Sequence, residues 1–347
     1  MIKDNIFVIF CAIFCGIANA SLPFVINTWD YEIATSKSWS TLKKTGNSLE
    51  AVVEGISGCE KHIDRCNFKV GYGGSPDELG ETSLDAMILD GSSLNMGAVA
   101  NVRSIRYPIK VAKHVLLHTD HSILAGEEAT EFAVKMGFKR ESFFSNNSKQ
   151  IHSDWINNNC QPNYWNNVTP DPRKSCGPYK ANDNLSATYN FHKNRIDNHS
   201  HDTIGMVVIN EKGSIFTGTS TNGLTHKIAG RVGDAPIPGS GSYCNDQYGA
   251  AVCTGNGDIT MRHLPTFLAV EFLRNGLSPK EAADKVRRRI LDRYQYKNWF
   301  ALIVVDKDGN YAAVCHDGSG YRDHFPYTVA DEKGLRVETV ICSKNKV

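Results

Sequence analysis

At 347 residues the chain can bury a sizeable core in one or two domains. Its 38 Lys and Arg nearly balance 37 Asp and Glu, for a formal net charge of +1, which excludes nucleic-acid or anionic-membrane binding driven by bulk charge. With 41% hydrophobic residues and 29 glycines, the composition is that of a globular protein, not a disordered one.

Residues 1–20 read as a secretory signal. Lys3 gives a weak positive start, residues 6–17 an apolar core, and Ala18-Asn19-Ala20 a small-x-small cleavage site that makes Ser21 the expected mature start. The apolar run is short and broken by Gly16, which argues against a membrane anchor, and no later stretch is apolar enough to span a bilayer. Removing Cys11 and Cys15 with the signal leaves eight of the ten cysteines, an even number that favours disulfides in a secretory context. Sequence proximity suggests Cys59 with Cys66, Cys160 with Cys176, Cys244 with Cys253 and Cys315 with Cys342, although eight cysteines allow many connectivities. No Cys-x-x-Cys spacing supports a zinc site instead. Sequons at Asn146, Asn167, Asn184 and Asn198 are compatible with glycosylation.

In chain order, apolar spacing predicts a helix over residues 36–54 despite Gly46, and a strand over 84–89 ending in Asp90-Gly91. Helices are expected over 108–117, with Pro108 in the first turn, and over 127–136, stopped by Gly137. Residues 142–200, rich in Asn, Pro, Ser and Lys, read as a long, loop-rich, exposed segment. Residues 203–210 and 214–221 form a predicted hairpin about Asn210-Glu211-Lys212-Gly213. Helices over 261–275 and 279–294 follow, then strands over 300–305 and 311–315 flanking Asp306-Lys307-Asp308-Gly309. This order predicts sheets covered by helices on their outer faces.

The hairpin opens on His201-Asp202-Thr203, and its return strand is rich in hydroxyls. A threonine hydroxyl needs an adjacent base to act as a nucleophile, and no Ser-His-Asp order or Gly-x-Ser-x-Gly elbow is recognisable here. A free N-terminal amine is such a base, which requires a cut just before Thr203 in exposed chain. On that chemistry alone, a plain strand-start threonine beside a solvated aspartate is the commoner case.

His201-Asp202-Thr203-Ile204-Gly205 resembles the cleavage motif of the glycosylasparaginases, which are N-terminal-nucleophile hydrolases. The resemblance continues through Asn27-Thr28-Trp29, Gly73-Gly74-Ser75-Pro76-Asp77, Asn159-Cys160-Gln161-Pro162-Asn163-Tyr164-Trp165 and Gly218-Thr219-Ser220-Thr221-Asn222-Gly223. It extends to Gly230-Arg231-Val232-Gly233-Asp234-Ala235-Pro236-Ile237-Pro238-Gly239 and Thr254-Gly255-Asn256-Gly257-Asp258, so it spans nearly the whole mature chain in the family's order. The Cys160–Cys176 segment resembles the animal, lysosomal type.

The resemblance implies a four-layer αββα sandwich of mixed α/β (α+β) class, formed as one catalytic domain from an α chain (21–202) and a β chain (203–347) after self-cleavage. Asp202 would assist an N-to-O acyl shift, and Thr203 would become both nucleophile and base. Thr221 would hydrogen-bond the nucleophile, Arg231 would grip the substrate α-carboxylate and Asp234 its α-ammonium. Thr254 and Gly255 would form the oxyanion hole, Trp29 would line the pocket, and Tyr31 stands where an aromatic is usual. The expected substrate is asparagine carrying N-acetylglucosamine, with no metal or organic cofactor, and the expected assembly is a dimer of αβ heterodimers in the secretory pathway or lysosome.

Two departures stand out. Lys69 precedes Val70-Gly71-Tyr72-Gly73-Gly74 where the family carries serine near the nucleophile's amine, and Cys244 and Cys253 look like additions. A cation there would depress the amine pKa, block the site or point away. An isoaspartyl peptidase or plain asparaginase is the sibling reading, against which Asn27-Thr28-Trp29 and the signal argue. A secreted non-catalytic homologue is the reading from another class, with Lys69 its one support.

Overall fold

The computed structural model describes residues 22–182, 203–293 and 298–344. The signal segment, Asp202 and the sequons at Asn184 and Asn198 lie outside the described residues. The chain opens with β1 (Phe24–Thr28), a fully buried run. Two helices follow, α1 (Glu32–Thr45) and α2 (Ser48–Lys61). The predicted single helix over 36–54 is thus two: Gly46 takes a left-handed φ of 65° and ends the first. Asn47 then caps the second through the Glu50 nitrogen.

β2 (Ser83–Asp90) and β3 (Met96–Arg103) form a hairpin, followed by α3 (Pro108–His118), β4 (Ile123–Ala125) and α4 (Gly126–Lys135). The stretch expected to be loop-rich contains α5 (Asn146–Asn157), whose start is fixed by a capping box between Ser145 and Ser148. Two short strands, β5 (Val168–Thr169) and β6 (Lys180–Ala181), pair beyond it. The predicted hairpin is present as β7 (Ile204–Ile209) and β8 (Ile215–Thr221). β9 (Ser242–Asn245), β10 (Gly249–Gly255) and α6 (Gly257–Thr260) precede α7 (Pro265–Arg274), which starts later than residue 261 because Pro265 sets its first turn after a left-handed Leu264. α8 (Pro279–Leu291), β11 (Trp299–Asp306), β12 (Tyr311–Asp317), β13 (His324–Asp331) and β14 (Gly334–Ser343) complete the chain.

The strands run in one hydrogen-bonded order, β4-β3-β2-β8-β7-β1-β13-β14-β12-β11-β10-β9. It doubles back at β14, which pairs antiparallel with β13 and, at Cys342 and Ser343, parallel with β12. β9 and β10 consequently pack face to face on β8, β7 and β1. Helices α1 to α4 cover the outside of the first sheet, while α7 and α8 cover β9 to β12 on the other side. The result is the expected αββα sandwich. One apolar cluster fills the space between the sheets and under α1 to α4, and a second lies under α7 and α8.

Among the described residues three disulfides are present, Cys59–Cys66, Cys160–Cys176 and Cys315–Cys342. The fourth expected pair is not formed: Cys244 and Cys253 are free and buried. The register explains why. Cys244 pairs opposite Ala250, three residues from Cys253, so the two side chains point to opposite faces of the sheet. Cys244 enters the core between the sheets and Cys253 the core beneath the helices. Among the described residues no helix is long and apolar enough to cross a membrane.

Candidate active site

Thr203 stands at the head of β7, in the middle of the first sheet, and is 4% exposed. Its nitrogen donates to Thr254 Oγ1 at 3.0 Å, across the gap between the sheets. Gly205 permits that approach, since a Cβ there would lie 2.8 Å from Val252 Cβ on β10. On the other side Thr28 fastens the main chain: its hydroxyl donates to the Thr203 carbonyl at 2.8 Å and accepts from the Gly205 nitrogen at 2.9 Å. The β7–β8 register, Ile204 opposite Ser220, continues to set Thr203 opposite Thr221. The Thr221 hydroxyl accepts from the Gly223 nitrogen at 2.9 Å, which orients it.

Trp29 follows β1 with a φ of 71°, a conformation held by the Asn27 amide and the Thr328 hydroxyl, both donating to the Trp29 carbonyl. Its indole stacks on Trp299 at 5.3 Å, meets Phe325 edge-on at 5.2 Å, and lies beneath the Arg322 guanidinium. From that clamp Nε1 donates to Thr254 Oγ1 at 3.3 Å. Tyr31, 6.4 Å away, is buried beside it. Gly255 has a φ of +124°, and a Cβ would sit 2.5 Å from the Trp299 carbonyl oxygen, so only glycine fits.

Past Gly255 the chain reaches Asn256, which lines a cavity of about 550 Å³ together with Tyr164, Lys227, Arg231 and Asp258. Arg231 pairs with Asp258 at 2.9 Å, not with Asp234. Burial works against the Arg231 charge, but the Asp258, Asp85 and Asp234 carboxylates outweigh it and hold the guanidinium protonated. Asp234 is buried and accepts from Thr260 Oγ1 at 2.9 Å. Burial pushes its pKa up to about 6, against the pull of Thr260 and Arg231. Gly257 keeps these groups together: a Cβ there would lie 2.7 Å from Asp234 Oδ1 and 3.2 Å from Arg231 Nη2.

Two groups thus emerge from the expected site residues. Thr203, Thr221, Thr254, Gly255 and Trp29 meet at the head of β7, and Arg231, which lines the cavity, and the buried Asp234 approach each other around Gly257; Asp202 lies outside the described residues. The Lys69 carbonyl accepts from the Asn222 nitrogen at 3.2 Å, which places its main chain one residue beyond Thr221.

Several residues of the site were not foreseen. Thr28 and Asn256 lay inside quoted motifs, and Asn256 is 1% exposed with neither side-chain polar atom hydrogen-bonded. Lys227 carried no sequence signal. It is buried and donates to the Asn222 and Ser83 carbonyls at 2.9 and 3.2 Å, and burial pushes its pKa down to about 8 against Asp85. Burial pushes both free thiols up, so Cys253 beside Thr254 is no nucleophile. Among the described residues no cluster of His, Cys, Asp and Glu is placed to hold a metal ion.

An αββα sandwich of this strand order is the fold class of the N-terminal-nucleophile hydrolases. The family described as asparaginase matches residues 20–328, and the chain belongs to that family. It is 52% identical to N(4)-(beta-N-acetylglucosaminyl)-L-asparaginase of Rattus norvegicus over 85% of this chain and 84% of the rat protein. To the mouse protein of the same name, from Mus musculus, it is 50% identical over 86% of this chain and 85% of that one. It is accordingly a hydrolase.

Proposed function

We propose that the protein hydrolyses the amide joining N-acetylglucosamine to the side-chain nitrogen of asparagine, in glycoprotein breakdown, after cutting itself between Asp202 and Thr203. The observation carrying this is Thr203: buried at the head of β7, with its nitrogen 3.0 Å from Thr254 Oγ1. In the self-cleavage Thr203 Oγ attacks the Asp202 carbonyl carbon, the peptide C–N bond breaks, and water hydrolyses the resulting ester. That leaves an α chain, residues 21–202, and a β chain from Thr203 to the end, with a primary amine next to the hydroxyl it must activate.

In turnover the amine takes the Thr203 hydroxyl proton as Oγ attacks the substrate carboxamide, then passes it to the departing glycosylamine nitrogen. Water next cleaves the acyl-enzyme and releases aspartate. Thr254 suits the oxyanion because its oxygen already accepts from Thr203 and Trp29, which turns its own O–H elsewhere. The Gly255 N–H is the second donor, and Thr221 holds the nucleophile. Arg231 offers a fork for the α-carboxylate, exchanging its partner Asp258 for substrate. Asp234, buried and reluctant to ionise, is completed by the α-ammonium.

The printed names of the rat and mouse relatives favour the glycosylated substrate over plain asparagine or isoaspartyl dipeptides. The signal segment and disulfides favour the secretory pathway and lysosome, and a dimer of αβ heterodimers is the proposed assembly. The test supplies purified protein with N-acetylglucosaminyl-asparagine, L-asparagine and an isoaspartyl dipeptide, and measures aspartate release. The glycosylated substrate is expected to have the highest kcat/KM. A preference for the dipeptide would favour the sibling activity, and no release from any of them a non-catalytic homologue.

A further inference from the structure

Beside the substrate cavity lies a second one of about 220 Å³, and Asn163 lines both. Its wall carries Trp165 and Tyr179, half-buried rings 5.1 Å apart at 40°. Trp165 Nε1 donates to Glu78 Oε2 at 2.8 Å, while Glu78 Oε1 accepts at 3.4 Å from the nitrogen of Ala229, a residue of the first cavity. One carboxylate therefore fastens the walls of both cavities.

The loop bearing these rings is held rigidly although it lies outside the main cores. Cys160 is bonded to Cys176, the Asn163 amide donates to the Cys160 and Pro172 carbonyls at 3.0 and 2.5 Å, and Trp155 Nε1 donates to the Pro162 carbonyl at 2.6 Å. A fixed indole and phenol beside a carboxylate and an amide form an amphipathic surface. The rings suit the C–H faces of a pyranose, and the polar groups suit its hydroxyls.

We propose that this second cavity binds the sugar ring attached beyond the N-acetylglucosamine whose amide is cleaved. The inference rests on the proposed function, since it takes the first cavity as the site of the reacting residue. Continuity through Asn163 and Glu78 selects this occupant. The competing occupants are a glycan on Asn167 of the chain itself and a second copy docking on the exposed Leu79 and Ile156.

The test compares kcat/KM for chitobiosyl-asparagine and N-acetylglucosaminyl-asparagine in wild type, Trp165→Ala and Trp165→Phe. Wild type should favour the disaccharide by about threefold to tenfold, through KM, as expected for one ring stacked on an aromatic. Trp165→Ala should abolish the preference, with the monosaccharide reaction losing far less than the disaccharide reaction, and Trp165→Phe should keep most of the preference. Equal rates on both substrates in wild type would overturn the proposal, as would equal losses on both in Trp165→Ala. Saturation-transfer NMR with free diacetylchitobiose needs no turnover. A signal lost in Trp165→Ala supports the subsite even if neither substrate is hydrolysed, an outcome that would sink only the proposed reaction. Absence of signal together with absence of preference removes the subsite. A signal that appears only after enzymatic deglycosylation, or only in monomer, assigns the cavity to one of the competitors.

Discussion

The Thr254 hydroxyl accepts from the Thr203 nitrogen and the Trp29 indole, so in the proposed reaction its one proton serves the oxyanion. Thr254→Val keeps the shape and removes the donor, and kcat should fall about 10²- to 10³-fold with KM little changed, as measured by steady-state aspartate release. Asp234 gives a pH prediction. Its folded pKa of about 6 lies above the ordinary 3.8, so the carboxylate proposed to pair with the substrate ammonium is present above about pH 6 and lost below it. A kcat/KM profile should show an acid limb near pH 6 that is absent from Asp234→Asn; the same limb in the variant would assign it to another group. At this scale the motifs named most of the residues that the structure gathers around Thr203, because an indole, hydroxyls and a glycine in that order are distinctive residue types. Thr28 and Lys227 escaped notice because they act through main-chain carbonyls, which no side-chain pattern announces.

Among the elements, α2 carries a buried acid directly behind the sheet that holds Thr203. Glu60 Oε1 accepts from Ser220 Oγ at 2.8 Å and from the Ile109 nitrogen at 3.1 Å, and burial pushes its pKa up to about 8. The folded state therefore keeps a proton that the unfolded chain releases near 4.5, so this group's contribution to stability is present at low pH and lost as pH rises towards 8. Glu60→Gln should raise Tm at pH 8 relative to wild type, with the difference shrinking towards pH 5; a pH-independent difference would contradict the assignment. Helices with clear spacing and a proline in the first turn, such as α3 and α8, were legible in the sequence, whereas β10 was not. Its run of Gly, Ala, Val, Cys and Thr, small because the sheets press together there, has neither alternation nor bulk. Pairing Cys244 with Cys253 failed for a related reason: proximity along the chain says nothing about which face of a strand a side chain occupies.

For the molecule as a whole, the order of strands makes cleavage compatible with permanence. β1, before the proposed cut, lies between β7 and β13, both after it, and β2 pairs with β8. The first sheet is assembled from strands of both fragments, so the two chains should stay together without a covalent link and unfold as one unit. The strand joining the two sheets, β14, is locked to β12 by Cys315–Cys342, which are 27 residues apart. Closing a loop of that length stabilises by about 3–4 kcal/mol in the chain-entropy account, so Cys315→Ser should lower Tm by several degrees in thermal unfolding. The layered architecture was foreseen from the family resemblance. The return of the sheet at β14 was not, because only its pairing with β12 reveals it.

The most direct test is intact-mass spectrometry of the denatured, deglycosylated protein after non-reducing purification, with Thr203→Ala alongside. The account predicts two masses for wild type, the smaller beginning at Thr203, and one uncut mass for the variant. A single full-length mass for wild type, or a cut that persists in Thr203→Ala, would contradict it.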